Sequence, residues 1–493
     1  MTPPYPKYHL AEFPHQFRVR YPGKTIMRYY NKHNERWEKL NGEQVANLCL
    51  SAAKGLAYLQ IQTGDRVAIY SPNRVGCITT ELGIFMMRAV SVPLYATSTP
   101  DQVQFIVEDA GVETMFVGGQ FQYNNAYEVQ QRGGSLRRLI IFDNEVVLAP
   151  GDTTSMYYDE FVRRGDSVTY ENKANVTASQ ALATDLAVII YTSGTTGFSK
   201  GVMLSGNNFA GNLAFCIERN IIRVNETLLC FLPMAHVYSC MINLFLAMAS
   251  GTHVVVLGKI PSPKILGVAF KKVRPTVIIS VPLVLEKIYQ NTLQPILKSR
   301  KVRFMLSLPI LRNVVYRKIR EQLSEGLGGA FRQVIVGGAA LNPEVGESLK
   351  RIGFPITVGY GMTECAPLIS FIEAEEWRLR SCGRVLEPYM EARIAPLNDE
   401  QTPSATASEI GEIQVRGENV CMGYYKNPEQ TAALFTEDGW MRTGDLGTMD
   451  SDHFLYIRGR SKAMLLGSNG QNIYPEELEA KIGMLPYVQE SLV

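Results

Sequence analysis

The sequence predicts an α/β protein whose C-terminal part turns to antiparallel β structure. Three observations predict it. Short β-branched runs alternate with longer helix-patterned stretches as far as Gly383, which argues for largely parallel sheets. Beyond Gly383 the strand patterns crowd together with Gly/Asp turns and little helix between them. The 493 residues are too many for one core, and units of roughly 100–200 residues make about two or three.

In chain order, Arg66-Val67-Ala68-Ile69-Tyr70 reads as a strand and Ser71-Pro72-Asn73 as a turn and helix start. A helical stretch through Met86-Met87 leads to a strand at 90–94. Further strands are expected at 113–117, 139–142, 187–191, 253–257, 277–280 and 334–336. Residues 240–257 form the most apolar stretch, but Asn243, Ser250-Gly251 and His253 interrupt it. A membrane span needs about 20 mainly apolar residues, so a core helix, a glycine turn and a buried strand are expected instead. Strands at 390–394, 412–416 and 454–457 suggest a smaller antiparallel sheet or barrel. From Gly459 something new begins.

The 49 basic and 47 acidic residues leave a net charge of +2, so no global field favours nucleic acid or a membrane. None of the eight cysteines is paired as C-x-x-C. Buried reduced thiols and a cytoplasmic location are expected. The N-terminus lacks a basic segment followed by an apolar one, so no secretory signal is read.

The strongest chemical signal is Tyr191-Thr192-Ser193-Gly194-Thr195-Thr196-Gly197-Phe198-Ser199-Lys200-Gly201, after an apolar strand. Read as a loop at the end of a parallel strand, it offers backbone N–H groups, hydroxyls and a lysine to an anion. It is not a Walker A loop, because Ser199 precedes Lys200. No G-x-G-x-x-G follows a strand, no G-x-S-x-G elbow has a credible triad, and no His/Cys cluster has zinc spacing.

The loop resembles the phosphate-binding signature of the adenylate-forming superfamily, and the resemblance continues in family order. Leu232-Pro233-Met234-Ala235-His236 resembles the segment beside the acyl pocket, and Gly337-Gly338-Ala339-Ala340-Leu341 the adenine-side loop. Tyr360-Gly361-Met362-Thr363-Glu364 resembles the nucleotide and metal motif, and Thr443-Gly444-Asp445 after Trp440 the ribose motif. Gly411-Glu412-Ile413 with Gly423-Tyr424-Tyr425 matches a structural motif. Arg458-Gly459-Arg460-Ser461-Lys462 and Gly470 to Glu479 are similar to the hinge and the first part of a small C-terminal domain.

The resemblance implies two α/β subdomains and a small β-barrel-like subdomain in a large domain, residues 1–460, then the beginning of a small α+β domain, 461–493. It implies that Thr192, Ser193, Gly194, Thr195, Thr196, Gly197 and Lys200 hold ATP phosphates. Gly338, Ala339, Ala340, Tyr360, Gly361, Met362, Thr363, Asp445, Arg460 and Lys462 would complete the nucleotide site. Glu364 with Thr195 or Thr196 would hold Mg²⁺, and Thr195, Lys200, His236 and Glu364 would serve catalysis. Tyr360 offers a face on which adenine can stack, the lesser alternative being a core tyrosine. Asp445 reads as a turn residue able to accept ribose hydroxyls, or as a simple Asx turn. His236 alone reads as a core histidine.

The implied reaction is activation of a fatty acid, most nearly as in bacterial long-chain acyl-CoA synthetases, followed by thioester formation with coenzyme A. Such chemistry needs no nucleophile–base pair, because the carboxylate itself attacks. Activation of another carboxylic acid (medium-chain or aryl), amino-acid adenylation and a non-catalytic nucleotide-binding role remain alternatives, the amino acid disfavoured by the lack of an Asp in 231–238. The family often has Asp after the hinge lysine, where this chain has Ala463. No lysine after Lys462 matches the family's catalytic lysine, so a small domain that stops early and an impaired overall reaction are expected. Leu311, Val315, Ile319 and Leu323 form a stripe flanked by Arg312, Arg317, Lys318 and Arg320. That pattern fits a helix packed on the core or one lying on an anionic inner-membrane face.

Overall fold

A computed structural model describes residues 9–31, 35–192, 199–397, 410–461, 465–466, 472–473, 475–482 and 488. The chain forms two compact units. The first combines residues 1–269 with 363–367 and 421–431; the second combines 270–362, 368–420 and 432–493.

The first unit is built on an eight-stranded sheet. Its order is Gly423–Tyr424, Lys200–Ser205, Leu186–Thr192, Val90–Leu94, Arg66–Tyr70, Thr114–Val117, Arg138–Ile141 and Ser155–Tyr157. From Leu186–Thr192 onward neighbours run parallel. Strands of a parallel sheet covered on both faces read as unbroken apolar runs, and all four residues of Thr114–Val117 are buried. The same burial explains the helix Val75–Met86, which has ten buried residues of twelve and so no polar face to show in the sequence.

A second sheet, Thr227–Cys230, His253–Val256, Thr25–Asn31 and Arg36–Asn41, also lies in this unit. Its last two strands form a hairpin rich in charged and half-buried residues. They carry no clean alternation, which is why the sequence gives them no strand signal. The apolar stretch at 240–257 folds as expected: helical turns from Val237 to Ala249, including a π-helical segment Cys240–Leu246, then Gly251 and the strand His253–Val256. Among the described residues no helix is long and apolar enough to cross a membrane. All eight cysteines are free thiols, seven of them buried.

The second unit contains a parallel sheet of Val277–Ser280, Gln333–Val336 and Ile356–Val358. A four-stranded antiparallel sheet follows, in the order Met390–Ala395, Gly411–Gly417, Met441–Met449 and Leu455–Arg460. Of the sheet and the barrel expected after Gly383, the described residues make the sheet. After Ser461 come a short hairpin, Leu465–Leu466 with Asn472–Ile473, and the helix Pro475–Ile482.

Candidate functional site

In the first unit the site begins where two strands end. Thr192 closes Leu186–Thr192, and Lys200 opens the next strand directly opposite, with Thr192 and Lys200 paired in register. The Ser/Thr/Gly loop therefore joins two antiparallel strands as a hairpin. This corrects the reading of a loop leading from a parallel strand: Leu186–Thr192 is parallel to Val90–Leu94 on one side and antiparallel to Lys200–Ser205 on the other. Ser193, Gly194, Thr195, Thr196, Gly197 and Phe198 lie outside the described residues.

Lys200 has two neighbours that fix it. Its ammonium donates to Gln430 Oε1 and lies 4.9 Å from the centre of the Tyr424 ring, where the ring's negative face attracts a cation. The Tyr424 hydroxyl in turn donates to Glu364 Oε1 at 2.8 Å. Tyr424 reaches this place because Gly423–Tyr424 pairs along Lys200–Ser205. Gly423 has φ +120, and a Cβ there would lie 2.5 Å from the Thr431 side chain, so only glycine fits. Glu364 sits in the 3-10 turn Thr363–Cys365. That turn is held by Cys421 N–H donating to Glu364 O at 2.7 Å, and by buried Asn212, whose Nδ2 donates to the carbonyls of Cys365 and Ala366 at 3.0 and 2.8 Å.

His236 is in the same unit, at the N-terminal end of the helical turns that begin at Val237. Its Nδ1 accepts from Tyr238 N–H at 3.2 Å, which leaves the proton on Nε2. Burial lowers its pKa, so the ring is neutral near neutral pH. Asn73 clamps the loop before it, donating to Leu232 O at 2.7 Å and accepting from Met234 N–H at 2.9 Å.

In the second unit Tyr360, Asp445 and Arg460 come together. The Tyr360 hydroxyl donates to Asp445 Oδ2 at 2.6 Å, and Arg460 Nε pairs with Asp445 Oδ1 at 2.9 Å. Asp445 and Arg460 face each other across neighbouring antiparallel strands. Asp445 is therefore a strand residue, not the turn residue the sequence suggested. Gly444, at φ +71, kinks the strand before it, and Thr443 Oγ1 accepts the Asp445 N–H at 3.0 Å. The carboxylate is buried while the arginine stays half exposed. Gly338, Ala339 and Ala340 form an exposed loop after Gln333–Val336, with Gly338 at φ +89. Gly361, Met362 and Thr363 are half-buried, and the chain passes from the second unit to the first between Met362 and Thr363. Lys462 and Ala463 lie outside the described residues.

A family model described as AMP-binding enzyme matches residues 15–425. The chain belongs to the AMP-binding enzyme family. Its similarity extends to the long-chain-fatty-acid–CoA ligase FadD15 of Mycobacterium bovis, 31% identical over 93% of this chain and 75% of that protein. The long-chain-fatty-acid–CoA ligase ACSBG2 of Rattus norvegicus is 29% identical over 92% of this chain and 70% of its own length. These relatives place the AMP-binding enzyme described here among the adenylate-forming acyl-CoA ligases. The fold agrees with that of the anthranilate CoA ligase AuaEII in complex with anthranoyl-AMP (TM-score 0.79, 19% identity, 99% of this chain and 84% of that one). It agrees also with o-succinylbenzoate coenzyme A synthetase from Bacillus subtilis, solved with ATP and magnesium (TM-score 0.72, 22% identity, 97% and 85%).

Tyr424, Gln430, Asn212 and Asn73 were not singled out from the sequence as site residues. The Gly423-Tyr424-Tyr425 motif was the available signal for Tyr424. The asparagines carry none, because neither an Asn in a turn (Asn73) nor one in an apolar stretch (Asn212) says which distant carbonyl it meets.

Proposed function

We propose that this AMP-binding enzyme activates a long-chain fatty acid with ATP and passes the acyl group to coenzyme A. A fatty-acid carboxylate oxygen attacks the α-phosphorus; the bond from that phosphorus to the bridging oxygen breaks, and pyrophosphate leaves. The thiolate of coenzyme A then attacks the acyl carbonyl carbon, and AMP leaves with the former carboxylate oxygen. The observation that carries this reading is the buried Asp445 carboxylate, set between the Tyr360 hydroxyl and the Arg460 guanidinium. Such a carboxylate accepts hydroxyl donors, as a ribose presents, while Arg460 supplies charge to a phosphate.

In the other unit the tyrosine-bridged pair of Lys200 and Glu364 sets one cation and one carboxylate in fixed positions. Lys200 stabilises negative charge on phosphoryl oxygens. Among the described residues Glu364 Oε1 accepts from Tyr424, so Oε2 suits one coordination position of Mg²⁺. That ion takes one or two carboxylates plus phosphate and water. Thr195 or Thr196 would join it. When bound, the ion offsets charge on the pyrophosphate. Neutral His236, with Nε2–H outward of its own hydrogen bond, is suited to the uncharged wall of an acyl pocket. The boundary between the large and small domains is placed at 460/461, next to the hinge lysine Lys462.

The test is acid-dependent AMP formation. Each buried methylene contributes about 0.8 kcal/mol, so kcat/KM should climb steeply from acetate through octanoate to palmitate. Equal turnover of acetate and palmitate would remove the long-chain assignment. Amino-acid-dependent pyrophosphate exchange without fatty-acid activity would replace it.

A further inference from the structure

Between Lys298 and Arg320 the chain carries eight lysines and arginines and no acidic residue. The whole chain has 49 basic against 47 acidic residues, so the remainder is net acidic and this stretch concentrates the positive charge. It folds as two successive helices of the second unit, Arg300–Ser307 and Pro309–Gly326.

The longer helix is anchored at its C-terminal half, where Ile319 and Leu323 are buried. The stripe read from the sequence, Leu311 to Leu323, is thus core-facing only in its second half: Leu311 is exposed and Val315 half-buried. At the other end a different face stands in solvent. Ile310 is 89% exposed and Phe304, on the shorter helix, 68%; Leu308, Leu311 and Val314 are also exposed. At about 100° per residue, Ile310, Val314 and Arg317 share one narrow arc, with Leu311 and Lys318 beside it. The exposed face is therefore apolar at its tip and cationic one turn further on. Arg317 meets the first acidic residue, Glu321, only at 4.0 Å, with both side chains mostly exposed. Lys298, Arg300, Lys301, Arg303 and Arg312 are exposed as well.

We propose that this two-helix surface docks on an anionic phospholipid bilayer, with Phe304, Ile310, Leu311 and Val314 entering the headgroup layer and the surrounding cations meeting lipid phosphates. Charge complementarity selects a lipid surface of this kind. The exposed apolar side chains are too few for insertion by themselves, whereas a juxtamembrane cation adds about fivefold in partitioning and eight are gathered here. Shallow entry of apolar side chains beneath a cationic rim is the arrangement of interfacial helices. The proposal is independent of the acid the enzyme takes, because docking is read without turnover.

The experiment is sedimentation of the full chain with vesicles of phosphatidylcholine, alone or mixed with phosphatidylglycerol. Binding should require phosphatidylglycerol and fall as salt rises from about 0.1 M to about 1 M, where the screening length drops from about 10 Å to about 3 Å. Reversing two exposed cations, Arg317→Glu with Lys318→Glu, should lower partitioning more than about twentyfold. Ile310→Ser should weaken it at constant charge, while Arg163→Glu, an exposed cation in the first unit, should change it little. All four positions are exposed, so thermal unfolding should be unaltered. Absence of sedimentation, equal sedimentation with both vesicle types, or wild-type binding by the double reversal would overturn the proposal. So would light scattering that shows Ile310→Ser dissolving a self-association in place of lipid binding.

Discussion

At the scale of single residues, Asp445 concentrates the most consequence. Its carboxylate is buried and receives both a phenol hydroxyl and a guanidinium, so its removal strands two donors as well as emptying an acceptor. Hydrogen bonds to charged groups contribute about 1.5–3 kcal/mol. Asp445→Ala should therefore weaken nucleotide binding roughly ten- to a hundredfold by calorimetry. Thr448→Ala, in the same strand, should leave it within about twofold; equal losses would take Asp445 out of the site. Glu364→Gln poses the complementary question. The amide oxygen can still accept from Tyr424, but the negative charge offered to Mg²⁺ is gone. The magnesium concentration for half-maximal acid-dependent AMP formation should rise at least about tenfold, with the melting temperature unchanged. An unaltered magnesium requirement would show that the ion is held elsewhere.

At the scale of elements, close helix contacts set limits that residue type alone does not reveal. Gly55 lies in the helix Gly42–Tyr58, which starts with a capping box between Asn41 and Gln44. A Cβ on Gly55 would sit 2.3 Å from the Phe161 ring, and one on Gly165 would sit 2.5 Å from Gly55 N. Two helices thus meet through paired glycines. Helix propensity favours Gly55→Ala by about 1 kcal/mol, whereas forcing a methyl into a filled contact costs about 1–3 kcal/mol. The packing term wins, because Phe161 is fully buried and has nowhere to turn. Gly55→Ala should lower the urea midpoint, and a raised midpoint would mean that the contact relaxes freely. The pairing of Thr192 with Lys200 makes the same point about elements: the segment proposed to hold phosphates has its two flanking residues locked in register by strand pairing.

At the scale of the whole molecule, pH couples to stability through His253. Burial, with Arg28, Lys39 and Lys24 adding to it, lowers the His253 pKa from 6.5 to about 4. Below about pH 6.5 the unfolded chain takes up a proton that the folded chain refuses, so unfolding gains as pH falls. The neutral ring's contribution is complete above pH 6.5 and is lost progressively down to about pH 4. A shift of this size corresponds to about 3 kcal/mol, which solvent screening of a half-exposed ring reduces to about 1–2 kcal/mol. Between neutral pH and about pH 5, His253→Gln should therefore lose less stability than the parent chain in urea titrations. Parallel pH profiles would assign the acid sensitivity to other groups.

The sequence by itself determined the α/β class, most strands of the parallel sheets and the order of the site motifs. Strands buried on both faces must be largely apolar, and 67–70, 90–94 and 277–280 show it, with Ser91 and Ser280 as the buried exceptions. Loops that approach a phosphate need glycine and hydroxyls in short succession, which 191–201 displays. The tertiary structure alone decided the remainder, because the deciding partners are far apart along the chain. Tyr360 meets Asp445 across 85 positions, and Tyr424 meets Glu364 across 60. The antiparallel return of Lys200–Ser205 beside Leu186–Thr192 was decided by tertiary pairing, and a strand's own residues do not encode the direction of its neighbour. The helix Pro309–Gly326 shows the same division most plainly. Its sequence holds enough apolar residues for more than one face, and only the packing of Ile319 and Leu323 settled which of them turned inward and left Ile310 and Val314 to the solvent.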